Sequence, residues 1–100
     1  MIFIISEKGG NETLNEVERL EVIAHVSRRT SRVLGNYRCC EHIRKVVIAD
    51  IFGQLRHEFG CDLNGLKKKY IADIHEFVDC YELPMVLSEQ IKDANAQMHL

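Results

Sequence analysis

Apolar residues recur at helical spacing through most of the chain, and breaks at Gly9-Gly10, Gly35-Asn36, Gly60 and Pro84 divide it into segments. Thr13 and Glu16 form a T-x-x-E capping box, in which hydroxyl and carboxylate each satisfy a backbone N–H left open by the first turn, so a first helix is predicted to begin near Thr13. Leu20, Ile23, Ala24, Ser27 and Leu34 fall on one side of it. Val22, Val26 and Val33 form a second apolar stripe roughly opposite. Two stripes need two partners: one is the rest of the domain, and the other, over Val22, Val26 and Val33, is most simply a second subunit or a longer helix packed across it. Gly35 stands where a left-handed cap is wanted and predicts the helix end.

A second helix is predicted over Arg38 to Phe59, with Ile43, Val47, Ile51, Leu55 and Phe59 at i, i+4 spacing. Its central run Val46 to Phe52 also fits a buried strand, but the length of the pattern favours helix. Asp50 is the one charge within that run, expected to pair with a neighbouring arginine or to point to solvent. Leu66, Tyr70, Ile74, Phe77, Val78 and Tyr81 mark a third, strongly amphipathic helix after Asn64-Gly65. Beyond Pro84, Leu87, Ile91, Ala94 and Met98 give a shorter fourth helix with a weak apolar edge, an arm that gains stability by lying on another element or subunit. Ile2 to Ile5 reads as a short strand in need of a pairing partner.

The predicted architecture is therefore all-α: three main helices and a C-terminal arm behind a short strand. It is one domain, with residues 1–10 as strand and turn, 11–83 as helical core and 84–100 as the arm. At 100 residues, 46% of them hydrophobic, there is one core to build and not two. So small a domain buries only about 60–65% of its unfolded surface, which favours a homo-oligomer with Val22, Val26, Val33, Ile91 and Met98 at the interface.

A net charge of -2 supplies no overall attraction for nucleic acid or an acidic membrane. The apolar run Met1 to Ile5 is too short for a signal peptide and no window approaches a membrane span, so a cytoplasmic location is expected. The four cysteines are read as reduced thiols on that basis. Cys39, Cys40 and His42, with His57 and Cys61 further on, lack the spacing of a zinc site, and neither a nucleophile motif nor a phosphate loop is present. Neither an enzyme nor a cofactor is expected.

Charge is unevenly placed. Six basic residues (Arg28, Arg29, Arg32, Arg38, Arg44, Lys45) face the single Glu41 between positions 28 and 45, a local excess of +5. Arg28 and Arg32 share a helix face and are candidates for contact with an acidic partner, against the commoner reading of a solvated surface. Lys67-Lys68-Lys69 would oppose the dipole of a helix beginning at Asn64, so either that helix starts later or the lysines have a task. Helices two and three around Gly60 also trace a helix-turn-helix outline, although the third helix carries lysines and no Arg, Asn or Gln placed to read bases.

The stretch from Arg44 to Tyr81 resembles the small helical C-terminal domain of phage antirepressor and Rha-type regulatory proteins. The matching residues are Ile51-Phe52, Leu55, Phe59-Gly60, Leu66, Tyr70, Phe77-Val78 and Tyr81. About 40 of the 100 residues are covered, and the connection, with Asp62-Leu63-Asn64, lacks the family's proline. The resemblance implies a phage or prophage protein of the bacterial host cytoplasm that inactivates a transcriptional repressor by protein contact. Glu76, Asp79 and Glu82 would then complement the repressor's basic DNA-binding surface. The alternatives are a small DNA-binding regulator using Lys67 to Lys69, or a phage inhibitor of another host or defence protein.

Overall fold

The computed structural model describes residues 12–35 and 41–98, with 94–98 as helical backbone. Four α-helices follow one another: α1 (Glu16–Leu34), α2 (Glu41–Phe59), α3 (Ile71–Asp79) and α4 (Met85–Met98), with a 3₁₀ turn over Lys68–Tyr70 leading into α3. The described residues are thus predominantly helical, as the periodicity predicts, with α1 packed against both α2 and α3. The expected strand at Ile2 to Ile5 lies outside the described residues, as do Arg38, Cys39 and Cys40.

The capping box is real but displaced by two residues. Asn15 Oδ1 accepts from the Glu18 N–H at 2.8 Å and the Glu18 carboxylate accepts from the Asn15 N–H at 2.9 Å. Thr13 is taken up elsewhere, in an isolated antiparallel bridge with Lys67. There the Leu14 N–H donates to Leu66 O at 3.0 Å and the Lys68 N–H to Glu12 O at 2.8 Å. The bridge drives Leu14 and Leu66, each 1% exposed, into the core side by side. It also holds Lys67 extended, so α3 starts only at Ile71 and the lysines precede its dipole. Gly35, at φ 56°, and Gly60, at φ 76°, close α1 and α2 in backbone conformations that residues with a Cβ rarely adopt.

The side of α1 that meets the rest of the chain is the one expected to meet a second subunit. Val22 and Val26 are 0% and 1% exposed and pack with Val47, Ile51, Ile74 and Val78 in the chain's own core. Val33 is half-buried against the same cluster, and Ile91 of α4 is 1% exposed within it. Val22, Val26 and Ile91 therefore have no surface left to offer a subunit. Met98 ends α4, and its side chain lies outside the described ones. The inward row runs Val22, Val26, Thr30, Leu34; a polar residue interrupts it, which disguises it in the sequence. Buried Thr30 stays satisfied because its hydroxyl donates to Val26 O at 2.8 Å. Leu20 and Ile23, expected to point inward, are 57% and 42% exposed.

Polar bonds lock the helices to one another. Arg44 on α2 donates to Ser31 Oγ and Ser27 Oγ, both at 2.8 Å, and to Ser27 O at 3.2 Å, tying α2 to α1. Just past α3, buried Tyr81 bonds in two directions. Its hydroxyl donates to Asp50 Oδ2 on α2 at 2.6 Å, and its carbonyl accepts from Arg29 Nε and Nη2 on α1 at 3.0 and 2.7 Å. Asp50 also accepts from Gln54 at 3.0 Å, so its partner is a tyrosine and a glutamine in place of the expected arginine or solvent. Burial first, and then the Asp50 carboxylate, push the Tyr81 phenol well above its ordinary pKa, which keeps it a donor.

Two substitutions test this arrangement. Val26→Glu places an unpaired charge at a fully buried site and is expected to abolish cooperative thermal unfolding, where an interface role would leave a folded monomer. Tyr81→Phe removes one donor from Asp50 and is expected to cost about 1–2 kcal/mol in urea unfolding; a cost near zero would show that the bond contributes nothing.

Candidate functional site

Short α3 divides two grooves. On the α1 side, His25, Arg28, Arg29, Arg32 and Asp79 line a polar groove of about 400 Å³. On the α2 side, Glu58, Phe59, Tyr70, Asp73, Glu76, Phe77 and Cys80 line a second groove of about 570 Å³. The expected acidic patch is therefore split. Glu76 belongs to the second groove, Asp79 turns toward α1, and Glu82 is exposed beyond the end of α3. Arg28 and Arg32 stand exposed on the first groove beside Asp79, while Arg29 is committed to Tyr81.

The first groove contains an arrangement that spacing alone does not reveal. His25 Nε2 and Asp79 Oδ1 lie 2.6 Å apart, His25 Nδ1 and His75 Nδ1 lie 2.7 Å apart, and the two rings stack at 4.9 Å between centroids. With the Asp79 carboxylate accepting from His25 Nε2–H, the facing Nδ1 atoms share a single proton, since one must donate and the other accept. A second proton would set N–H against N–H and break the contact. Burial, then the neighbouring His25, lowers the pKa of His75; Arg28 adds to the effect, and Glu21 and Asp79 oppose it. The Asp79 carboxyl is held below its ordinary value, chiefly by the hydrogen bond from His25.

In the second groove the floor is aromatic and the rim acidic. Phe59, at the end of α2, lies 6.0 Å from the Tyr70 ring and 6.1 Å from the Phe77 ring, the latter edge-on. Lys69 Nζ stands 5.1 Å from the Tyr70 ring centroid, a cation over an aromatic face at the border of the groove. Asp73 and Glu76 rise from successive turns of α3, and Glu58 faces them from α2. The Phe59-Gly60 pair thus does two jobs: the ring centres the aromatic floor, and the glycine ends the helix at once so that the chain can double back toward α3. Glu58 and Asp73 were missed because they gain meaning only when α2 and α3 meet.

Of the lysine run, Lys68 lies 3.5 Å from Glu18 of α1 and Lys69 sits over Tyr70, so both have local partners. Cys61 and Cys80 carry free thiols, and His57 is exposed at the end of α2. Among the described residues no three of His, Cys, Asp and Glu come together in a geometry that could hold a metal ion. No helix among them is long and apolar enough to cross a membrane.

The histidine pair makes stability depend on pH in a definite direction. In the fold His75 titrates below its ordinary value of 6.5, so on acidification the unfolded chain takes up this proton first. Its contribution is complete above about 6.5 and is lost as pH falls toward the lower folded-state pKa. Melting temperatures recorded from pH 8 to pH 5 should fall across that window, and His75→Gln should flatten the decline. Parallel curves for the two proteins would assign the dependence to another group.

No family model, no curated protein and no solved structure matches this chain.

Proposed function

We propose that this chain is a non-enzymatic binding protein that inactivates a transcriptional repressor by covering its basic DNA-contacting surface. The observation that carries the reading is the groove between α2 and α3, where the carboxylates of Glu58, Asp73 and Glu76 surround a floor of Phe59, Tyr70 and Phe77. An arginine or lysine from a DNA-facing helix suits both parts of it. The charged head pairs with the carboxylates, and the guanidinium plane or alkyl stem lies on the rings. Rim carboxylates also speed encounter with a positively charged partner and disfavour a negative one. The resemblance over Arg44 to Tyr81 to phage antirepressor and Rha-type proteins supplies the target class, and Phe59 of its Phe59-Gly60 pair lies in the groove floor.

Inhibition on this reading is a matter of linkage. A protein that binds only the DNA-free repressor lowers the concentration available to the operator, within limits set by its own affinity and abundance. Direct DNA binding through Lys67 to Lys69 is less well supported. Residues 60–70 separate α2 from α3, longer than the three- or four-residue turn of a helix-turn-helix, and the lysines lie ahead of α3 and not on it.

The test is light scattering on the chain mixed with the repressor encoded nearest to its gene, followed by an operator mobility shift. A stoichiometric complex that no longer shifts operator DNA is expected. Changing Glu58, Asp73 and Glu76 together to Lys should weaken the complex at least about 30-fold, as loss of a hot spot of roughly 2 kcal/mol would. If there is no complex and the chain itself shifts DNA at low but not high salt, the DNA-binding alternative replaces this reading.

A further inference from the structure

Among the described residues the core leaves one face of α1 unclaimed. Val17, Leu20 and Ile23 are 63%, 57% and 42% exposed, and Ala24 is exposed between them. Ile23 continues this surface into a groove of about 520 Å³ whose walls include Phe52, Leu55, Leu63 and Leu66. Large apolar side chains grouped on one side of a helix and running into an apolar groove mark a surface that another chain covers.

Charge along α1 identifies the occupant. Glu16, Leu20, Ala24 and Arg28 are all exposed and stand four residues apart, so they form a single ridge along the helix. The ridge is acidic at its N-terminal end, apolar in the middle and basic at its C-terminal end. Glu12 extends the acidic half and Arg32 the basic half. Among the described residues the Glu16 and Arg32 side chains make no hydrogen bond or ion pair that would spend this charge internally. Laid antiparallel beside a copy of itself, the ridge is self-complementary: Leu20 meets the partner's Ala24, Glu16 meets the partner's Arg28, and the two-fold axis repeats each contact. A parallel pairing would set acid on acid and base on base.

We infer that a second copy of this chain docks antiparallel across the outer face of α1, forming a two-fold dimer centred between Leu20 and Ala24. This interface differs from the one the sequence suggests, because Val22 and Val26 point the opposite way, into the core. It lies outside the acidic groove between α2 and α3, so it does not depend on what that groove binds.

Sedimentation of the full chain over a concentration series tests the dimer, with circular dichroism confirming that each variant is folded. The wild type should form a reversible dimer, and Leu20→Asp should raise its dissociation constant at least about tenfold, since Leu20 is exposed in the single chain and tolerates the change there. The charge pairs provide the sharper readout. Glu16→Lys and Arg28→Glu should each weaken association several-fold, and the two changes in one chain should restore it to within about twofold of wild type. A protein that stays monomeric throughout, a dimer indifferent to Leu20→Asp, or a double variant weaker than either single one would overturn the inference.

Discussion

Everything above and below α3 depends on one buried residue that belongs to no helix. Tyr81 donates a hydrogen bond from its hydroxyl to Asp50 of α2 and accepts two on its carbonyl from Arg29 Nε and Nη2 of α1. A helix of nine residues, Ile71–Asp79, is too short to persist by its own hydrogen bonds. Its place is set by Ile74 and Val78 in the core and by this anchor immediately past its end. Because the anchor reaches α1 and α2 together, it fixes the rotation of α3 between them. That rotation is what brings His75 and Asp79 to His25 on one side, and Phe77 and Glu76 to Phe59 and Glu58 on the other.

The two grooves flanking α3 share little chemistry. Toward α1 the lining is imidazole, guanidinium and a single carboxylate, and His75, stacked on His25, couples the α1–α3 contact to pH. Toward α2 the lining is carboxylate over aromatic rings, a set suited to holding a cation. One short helix can support both because its apolar row, Ile74 and Val78, occupies the middle, with His75 and Asp79 on one flank and Asp73, Glu76 and Phe77 on the other. The outer face of α1 is a third surface, and it is apolar where the grooves are polar.

Particular residues show how far the pattern could be read. The helices, their order and the glycine stops at 35 and 60 follow from spacing and backbone sterics, which are local and therefore written locally. The cap fell on Asn15 and Glu18, not Thr13 and Glu16, because Thr13 was claimed by a bridge to Lys67, more than fifty residues away. Of the two stripes on α1, Val22 and Val26 of the second went inward, joined by Leu34 from the first and by Thr30 from neither, since a threonine that can bond its own helix backbone is admissible in a core. Asp50 read as an isolated charge, and its phenol partner was invisible until α2 met the end of α3. Among the candidate binding residues, Arg28, Arg32 and Asp79 proved to share a groove, but Glu76 went to another with Glu58 and Asp73.

What the amino-acid sequence determined by itself was helix content, the approximate helix bounds and the segregation of charge along α1, all properties that depend on neighbours within a turn or two. What only the tertiary structure decided was which stripe became core and which stayed exposed, and which carboxylates, rings and imidazoles came to share a groove. Periodicity states that a helix has an apolar side. It carries no information about which of two sides meets the rest of the chain, because that choice is settled by packing volume and by polar bonds between residues far apart in sequence, Tyr81 with Asp50 and Arg29 above all.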